Sequence, residues 1–137
     1  MSHKIQTSNI SCIVLEIKSY QDIPQLHIFK QTNTNISTDV SLEFSPAQTV
    51  QINDIIQSID PGNYLIKEYG KIQKGNKIFK IFISTFRGVT SLQIRERVIS
   101  PWYAGFWKQW ISLPTYKIKE LQMHMTIMLQ EMEKKKI

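Results

Sequence analysis

The tightest constraint on the fold of this chain lies between residues 79 and 97, FKIFISTFRGVTSLQIRER. On both sides of Arg87-Gly88 the apolar residues alternate with a period of two. Ile81 and Ile83 therefore share a face with Leu92 and Ile94 of the returning run, while Lys80, Phe82, Ser84, Phe86, Gln93, Arg95 and Arg97 take the opposite face. Gly88 supplies the backbone freedom that a tight connection needs. The stretch predicts a β-hairpin with one core face and one face of rings and cations.

Such a face has the chemistry that a single-stranded nucleic acid requires: bases stack on rings while Arg and Lys follow the phosphates. It is also what a half-exposed antiparallel sheet carries for solubility and cross-strand pairing. The residue types of one hairpin leave both open.

Charge narrows the choice. Of the net +6, residues 1–70 hold four lysines against seven acids, a net of −3, and residues 71–137 hold thirteen bases against four acids, a net of +9. This asymmetry points to a polyanion-binding surface in the second half, although Lys134, Lys135 and Lys136 also suit a solvated end. Cys12 is the only cysteine, which excludes an internal disulfide and a thiolate metal cluster. His3, His27 and His124 have no metal-ligand spacing, and no phosphate loop or nucleophile elbow is present. The expectation is a non-enzymatic protein without a cofactor. No apolar run reaches membrane-spanning length and MSHKIQTSN lacks a signal-peptide core, so a soluble, intracellular protein is expected.

The chain carries an internal repeat. Ile17, Tyr20, Leu26 and Ile28 recur at one offset as Ile83, Phe86, Leu92 and Ile94, and Lys4-Ile5-Gln6 with Asn9 recurs as Lys71-Ile72-Gln73 with Asn76 at an offset one residue larger. In the first unit, strands are predicted at about 10–20, 25–31 and 36–44, with a turn at Asp22-Ile23-Pro24. Ser45 as N-cap and Pro46 at the first position then open a helix lined by Ile52, Ile55, Ile56 and Ile59 and stopped by Asp60-Pro61-Gly62. In the second unit, a strand ends at the turn Lys74–Lys77, the hairpin follows, residues 100–107 form an aromatic loop, and a strand runs through Trp110–Leu113. A helix from Tyr116 to about Met132 presents Ile118, Leu121, Met125, Met128 and Met132 at spacings of three and four, a stripe suited to core packing or to an interface between helices.

The string FRGVTSLQIRE, followed by ISLP and a helix, resembles the single-stranded-DNA-binding domain of the transcriptional coactivator positive cofactor four, matched at Phe86, Arg87, Gly88, Ile94, Arg95, Glu96, Ile111, Ser112 and Leu113. It covers residues 71–130 well and 4–59 as a degenerate copy, in a superfamily shared with the Pur-repeat and Whirly proteins. The resemblance implies an α+β fold of two ββββα repeats, residues 1–62 and 63–137, forming an intramolecular pseudo-dimer with curved antiparallel sheets. It further implies that Phe86 stacks on a base, that Arg87 and Arg95 meet phosphates, and that Gly88 holds the turn. Val89 stands where the family has a basic residue, and Arg97-Val98 replaces its aromatic pair, so Trp102, Tyr103, Trp107 or Trp110 would have to restore the lost stacking or else pack inside. Tyr20-Gln21-Asp22 replaces Phe-Arg-Gly in the first unit, whose role is expected to be mainly completing the fold or binding a protein, while the second unit carries most of the nucleic-acid contact.

The nucleic-acid-binding residues expected on this basis are Lys80, Phe82, Phe86, Arg87, Gly88, Arg95, Arg97, Trp102, Lys108 and Trp110, acting on single-stranded DNA with weak sequence preference in transcription, replication or repair. Melted duplex and RNA are alternative ligands for the same face, with transcription or replication proteins as further partners. The protein would be nuclear in a eukaryote, or in the replication compartment if viral. The competing expectation is an assembly subunit, homo- or hetero-oligomeric, using the aromatic loop and the Met-rich stripe Ile118, Leu121, Met125, Met128 and Met132.

Overall fold

A computed structural model describes residues 2–32, 41–100 and 103–134, with side chains throughout these except over 100–109. Among the described residues, eight strands form two antiparallel sheets, each in sequential order and each followed by a helix. The first unit comprises β1 (Ser2–Gln6), β2 (Ser11–Tyr20), β3 (Ile23–Thr32), β4 (Ser41–Phe44) and α1 (Pro46–Gln57). The second comprises β5 (Glu68–Lys74), β6 (Lys77–Phe86), β7 (Val89–Ser100), β8 (Tyr103–Pro114) and, after a 3-10 turn at Thr115–Lys117, α2 (Ile118–Lys134). This is the α+β, twice-ββββα fold that the resemblance implies.

Register makes the repeat concrete. Ile17 pairs with Leu26 and Leu15 with Ile28 in the first sheet, as Ile83 pairs with Leu92 and Ile81 with Ile94 in the second. Both hairpins close through two residues of positive φ: Gln21 (53°) and Asp22 (66°), then Arg87 (51°) and Gly88 (78°). Such turns match the twist of the strands they join. The first turn therefore sits one residue earlier than the Asp22-Ile23-Pro24 expectation, and Pro24 lies near the start of β3, where its missing N–H is tolerated. The offset grows by one at β1 and β5 because Ile5 pairs with Ile13 eight residues on, whereas Ile72 pairs with Phe79 seven on.

Several segments differ from expectation: Ser2–Gln6 pairs as β1 although the sequence predicts no strand there, and α1 ends at Gln57, short of Ile59. Residues 103–107 belong to β8 rather than to a loop, held to β7 through register shifts at Glu96/Arg97 and Val98/Ser100. Bulges let a strand bend without ending its pairing, and the sequence shows no period to announce them. Of the third predicted strand, Ser41–Phe44 is present, while Ile36, Thr38 and Val40 lie outside the described residues.

One apolar core serves both units. Ile13 and Ile28 of the first sheet, Leu92, Ile94, Ile111 and Leu113 of the second, and Leu121 of α2 surround a common void of about 10 Å³, and Phe44 meets Phe79 with ring centroids 4.8 Å apart. Helix α2 packs on β1, β2 and β3 of the other unit, and α1 reaches β5. The approach of α1 to β5 is close: a Cβ on Gly70 would stand 2.7 Å from Ile55 Cδ1. Ser45 caps α1 as expected, accepting from the Gln48 N–H while Gln48 Oε1 accepts from the Ser45 N–H.

Ile118, Leu121, Met125, Met128 and Met132 are all buried within this chain. Of the two roles expected for the stripe, core packing is the one observed, and the competing interface with another subunit is not: the stripe is the α2 contribution to the core. A pseudo-dimer joined in one polypeptide supplies its own partner helix, which a periodicity of three and four cannot distinguish from a separate chain.

Candidate nucleic-acid interface

The outward face of the second sheet is built by parity. With Phe79, Ile81, Ile83, Leu92 and Ile94 buried, their strand neighbours must point away from the core. Cross-strand register then sets these outward residues in rows perpendicular to the strands.

One row contains Lys71 of β5, Lys80 of β6, Arg95 of β7 and Trp110 of β8, each paired with the next. Three cations stand side by side and end on an indole that is half exposed. Like charges directly opposite one another destabilise a sheet, so a face made only for solubility would alternate sign. Part of the repulsion is relieved by Glu68, whose carboxylate lies 3.6 Å from Lys80 Nζ. Arg95 lies between two rings, its guanidinium 4.8 Å from the centroid of Phe82 and 5.8 Å from that of Trp110, and its Nε donates to Gln93 Oε1 at 2.8 Å. These contacts hold the guanidinium at the surface rather than letting it sweep freely.

The hairpin tip continues the surface. Phe86 is 68% exposed and Val89, its cross-strand partner, 66%. The Arg87 guanidinium lies 5.3 Å from the Phe86 ring centroid. Gly88 holds the second positive-φ position, where any side chain would be strained. Beyond the cationic row, Arg97 is half-buried opposite Ile78. On the core face, Glu96 is buried and paired with Lys77 at 3.3 Å, which keeps its charge away from the outward surface.

The expected residues Lys80, Phe82, Phe86, Arg87, Gly88, Arg95, Arg97 and Trp110 thus share one face or its turn. Trp102 lies outside the described residues; Lys108 belongs to β8, but its side chain lies outside them. Lys71 and Glu68 were not anticipated as parts of the site. Their membership depends on the β5–β6 register, which a bulge between Glu68 and Gly70 shifts.

The first sheet offers a different outward face. Glu16 and Lys18 of β2, Gln25 and His27 of β3, and Glu43 of β4 mix signs, and His27 Nδ1 approaches Glu43 at 3.8 Å. Its hairpin tip, Tyr20-Gln21-Asp22-Ile23, exposes a ring and an aliphatic group as the second tip does, but with a neutral glutamine in place of the arginine and an acid in place of the glycine. Among the described residues, no three His, Cys, Asp or Glu side chains converge to hold a metal, and no helix is long and apolar enough to cross a membrane.

Two ββββα units sharing one core, with a cationic, ring-bearing sheet face, define the architectural class. Among solved structures the chain is similar to the crystal structure of WHY3 from Arabidopsis thaliana, with a TM-score of 0.51 and 9% sequence identity over 94% of this chain and 86% of that one. At that identity the likeness is one of fold. No protein-family model and no curated protein sequence matches the chain.

Proposed function

We propose that the protein binds single-stranded DNA through the outward face of its second sheet, as a binding protein rather than a catalyst. The observation that carries this reading is the row Lys71–Lys80–Arg95–Trp110, in which cations accumulate across three strands despite their repulsion and terminate on an exposed ring. Backbone phosphates would follow the cations and Arg87, and bases would stack on Trp110 and Phe86. The fold likeness to WHY3, a Whirly protein, supports the same reading, since the resemblance drawn from FRGVTSLQIRE leads to the superfamily that contains the Whirly proteins.

Residues 63–137 carry the contact, while residues 1–62 complete the core and present a face of mixed charge. Transcription, replication or repair, in which duplexes open, provides the setting in which such a surface has a ligand.

Fluorescence anisotropy of labelled single-stranded DNA, single-stranded RNA and duplex across salt concentrations tests the proposal. Single-stranded DNA is expected to bind most tightly, with log affinity falling against log salt at a slope of about −3 for roughly four phosphate contacts. Tighter binding of RNA would reassign the face, and equal weak binding of every ligand would remove it.

A further inference from the structure

Next to the cationic row, the outward face sinks into an open groove of about 320 Å³. Phe86 and Val89 of the hairpin tip, with Leu113 and Pro114 of β8, line it with apolar groups, Ser91, Gln93 and Ser112 form a smaller polar floor, and Thr7, from the β1–β2 connection of the other unit, contributes to the rim. The volume lies at the small end of the range for ligand pockets, about 300–1,000 Å³, which suits one nucleobase and not a stack.

The floor has a defined polarity. Arg95 Nε can only donate, so the oxygen of the Gln93 amide must face it, at 2.8 Å. Gln93 Nε2 then turns to Ser91 Oγ at 3.2 Å, which engages one of its two hydrogens. The second amide hydrogen and the Ser91 hydroxyl hydrogen remain as donors, and the Ser112 hydroxyl can donate or accept. Gln93 is itself 94% buried by its 6% exposure and belongs to the same hydrogen-bonded chain as Arg95, so the groove is continuous with the cationic row.

A donor-rich floor beside an apolar wall matches a base with two carbonyl groups and a methyl. We propose that the groove receives a single thymine turned out of the bound strand, its carbonyls accepting from Gln93 and Ser91, its N3–H donating to the Ser112 hydroxyl, and its methyl against Phe86 and Val89. Adenine would bring an amino group to a floor already rich in donors, and cytosine would lack the methyl. This rests on the strand-binding function proposed above and adds a base preference that ring stacking alone does not create.

The test is anisotropy with oligonucleotides of equal length made of dT, dU, dC or dA, against wild type, Ser112→Ala, Val89→Ala and Gln93→Met, with a thermal melt of each variant. Ser112 and Val89 are exposed, so their substitution leaves the core intact even if Gln93→Met perturbs β7. Expected are tighter binding of dT than of dA or dC by about ten-fold, a narrower gap between dT and dU in Val89→Ala, and a loss of preference in Ser112→Ala with binding to the strand retained. Equal binding of all four polymers, still dependent on Arg95, would overturn the thymine groove and leave strand binding standing. A dT preference unchanged in the variants would assign it to strand flexibility and also overturn the groove. Displacement of the dT strand by equimolar thymidine monophosphate would assign the groove to a free nucleotide instead. Absence of binding to any strand at low salt would remove both proposals together.

Discussion

Gln57 and Gln122 bridge the two helices reciprocally. Gln57 Nε2 donates to the Gln122 carbonyl at 2.8 Å, and Gln122 Nε2 donates back to the carbonyls of Ile56 (3.0 Å) and Ile59 (2.8 Å) at the end of α1. The last carbonyls of a helix have no partner within it, and α1 obtains donors from the opposite unit. Replacing Gln122 by Leu should lower stability by about 1 to 3 kcal/mol, read as a shift of the urea midpoint. A smaller loss is expected from Gln57→Ala, whose bonds are exposed. An unchanged midpoint in Gln122→Leu would show that water caps α1 equally well.

Gly70 and Ile55 mark a close approach of α1 to the second sheet. Gly70→Ala should cost about 1 to 3 kcal/mol by overpacking, and Ile55→Ala in the same background should return part of it. That rescue is measured as non-additivity in a double-mutant cycle; strictly additive losses would mean the two sites do not touch.

Met125→Ala and Met128→Ala should each cost about 2 to 5 kcal/mol, because both side chains are fully buried in the core. Light scattering should show the molecular mass of each variant unchanged from wild type wherever it remains folded. Loss of an oligomer at undiminished stability would restore the stripe as an intermolecular interface.

Arg95→Ala should weaken binding of single-stranded DNA and reduce the magnitude of the salt slope by about 1. Trp110→Ala should remove about 1 to 3 kcal/mol of stacking while leaving the slope in place. The contrast separates charge from ring, and identical slopes in both variants would count against the assignment of Arg95 to a phosphate.

Acid should destabilise the fold. The rings of His3 on β1 and His124 on α2 lie 4.8 Å apart, and His3 Nε2 and His124 Nδ1 are buried without a hydrogen-bond partner. Burial, then the facing His124, lowers the pKa of His3 below its ordinary 6.5, with Glu131 opposing; burial likewise lowers that of His27, against the pull of Glu43. A histidine with a lowered folded-state pKa binds its proton more readily when unfolded, so the stability it contributes is complete above 6.5 and declines as pH falls below it. The urea midpoint should therefore drop on acidification from pH 7.5 to pH 5.5, and His3→Gln should flatten the dependence. A midpoint that rises on acidification would contradict this sign.

The alternation on both sides of Arg87-Gly88, the helix opening at Ser45-Pro46 and the repeat of Ile17, Tyr20, Leu26 and Ile28 were legible in the sequence. Each depends on neighbours within one or two elements, and local period and turn chemistry determine them. From those signals follow two units of strands closed by a helix, a core face and a basic aromatic face. The sequence could not align Lys71 with Lys80 and Arg95, because that row depends on register across three strands and on a bulge at Glu68/Gly70 without a compositional signal. Nor could it bring Thr7 to the rim of a groove floored by Gln93 and Ser112, or choose between core and interface for Met125 and Met128. Those arrangements arise from packing one unit on the other, and tertiary contact alone decided them, because a side chain's period along its own strand or helix carries no information about what lies opposite.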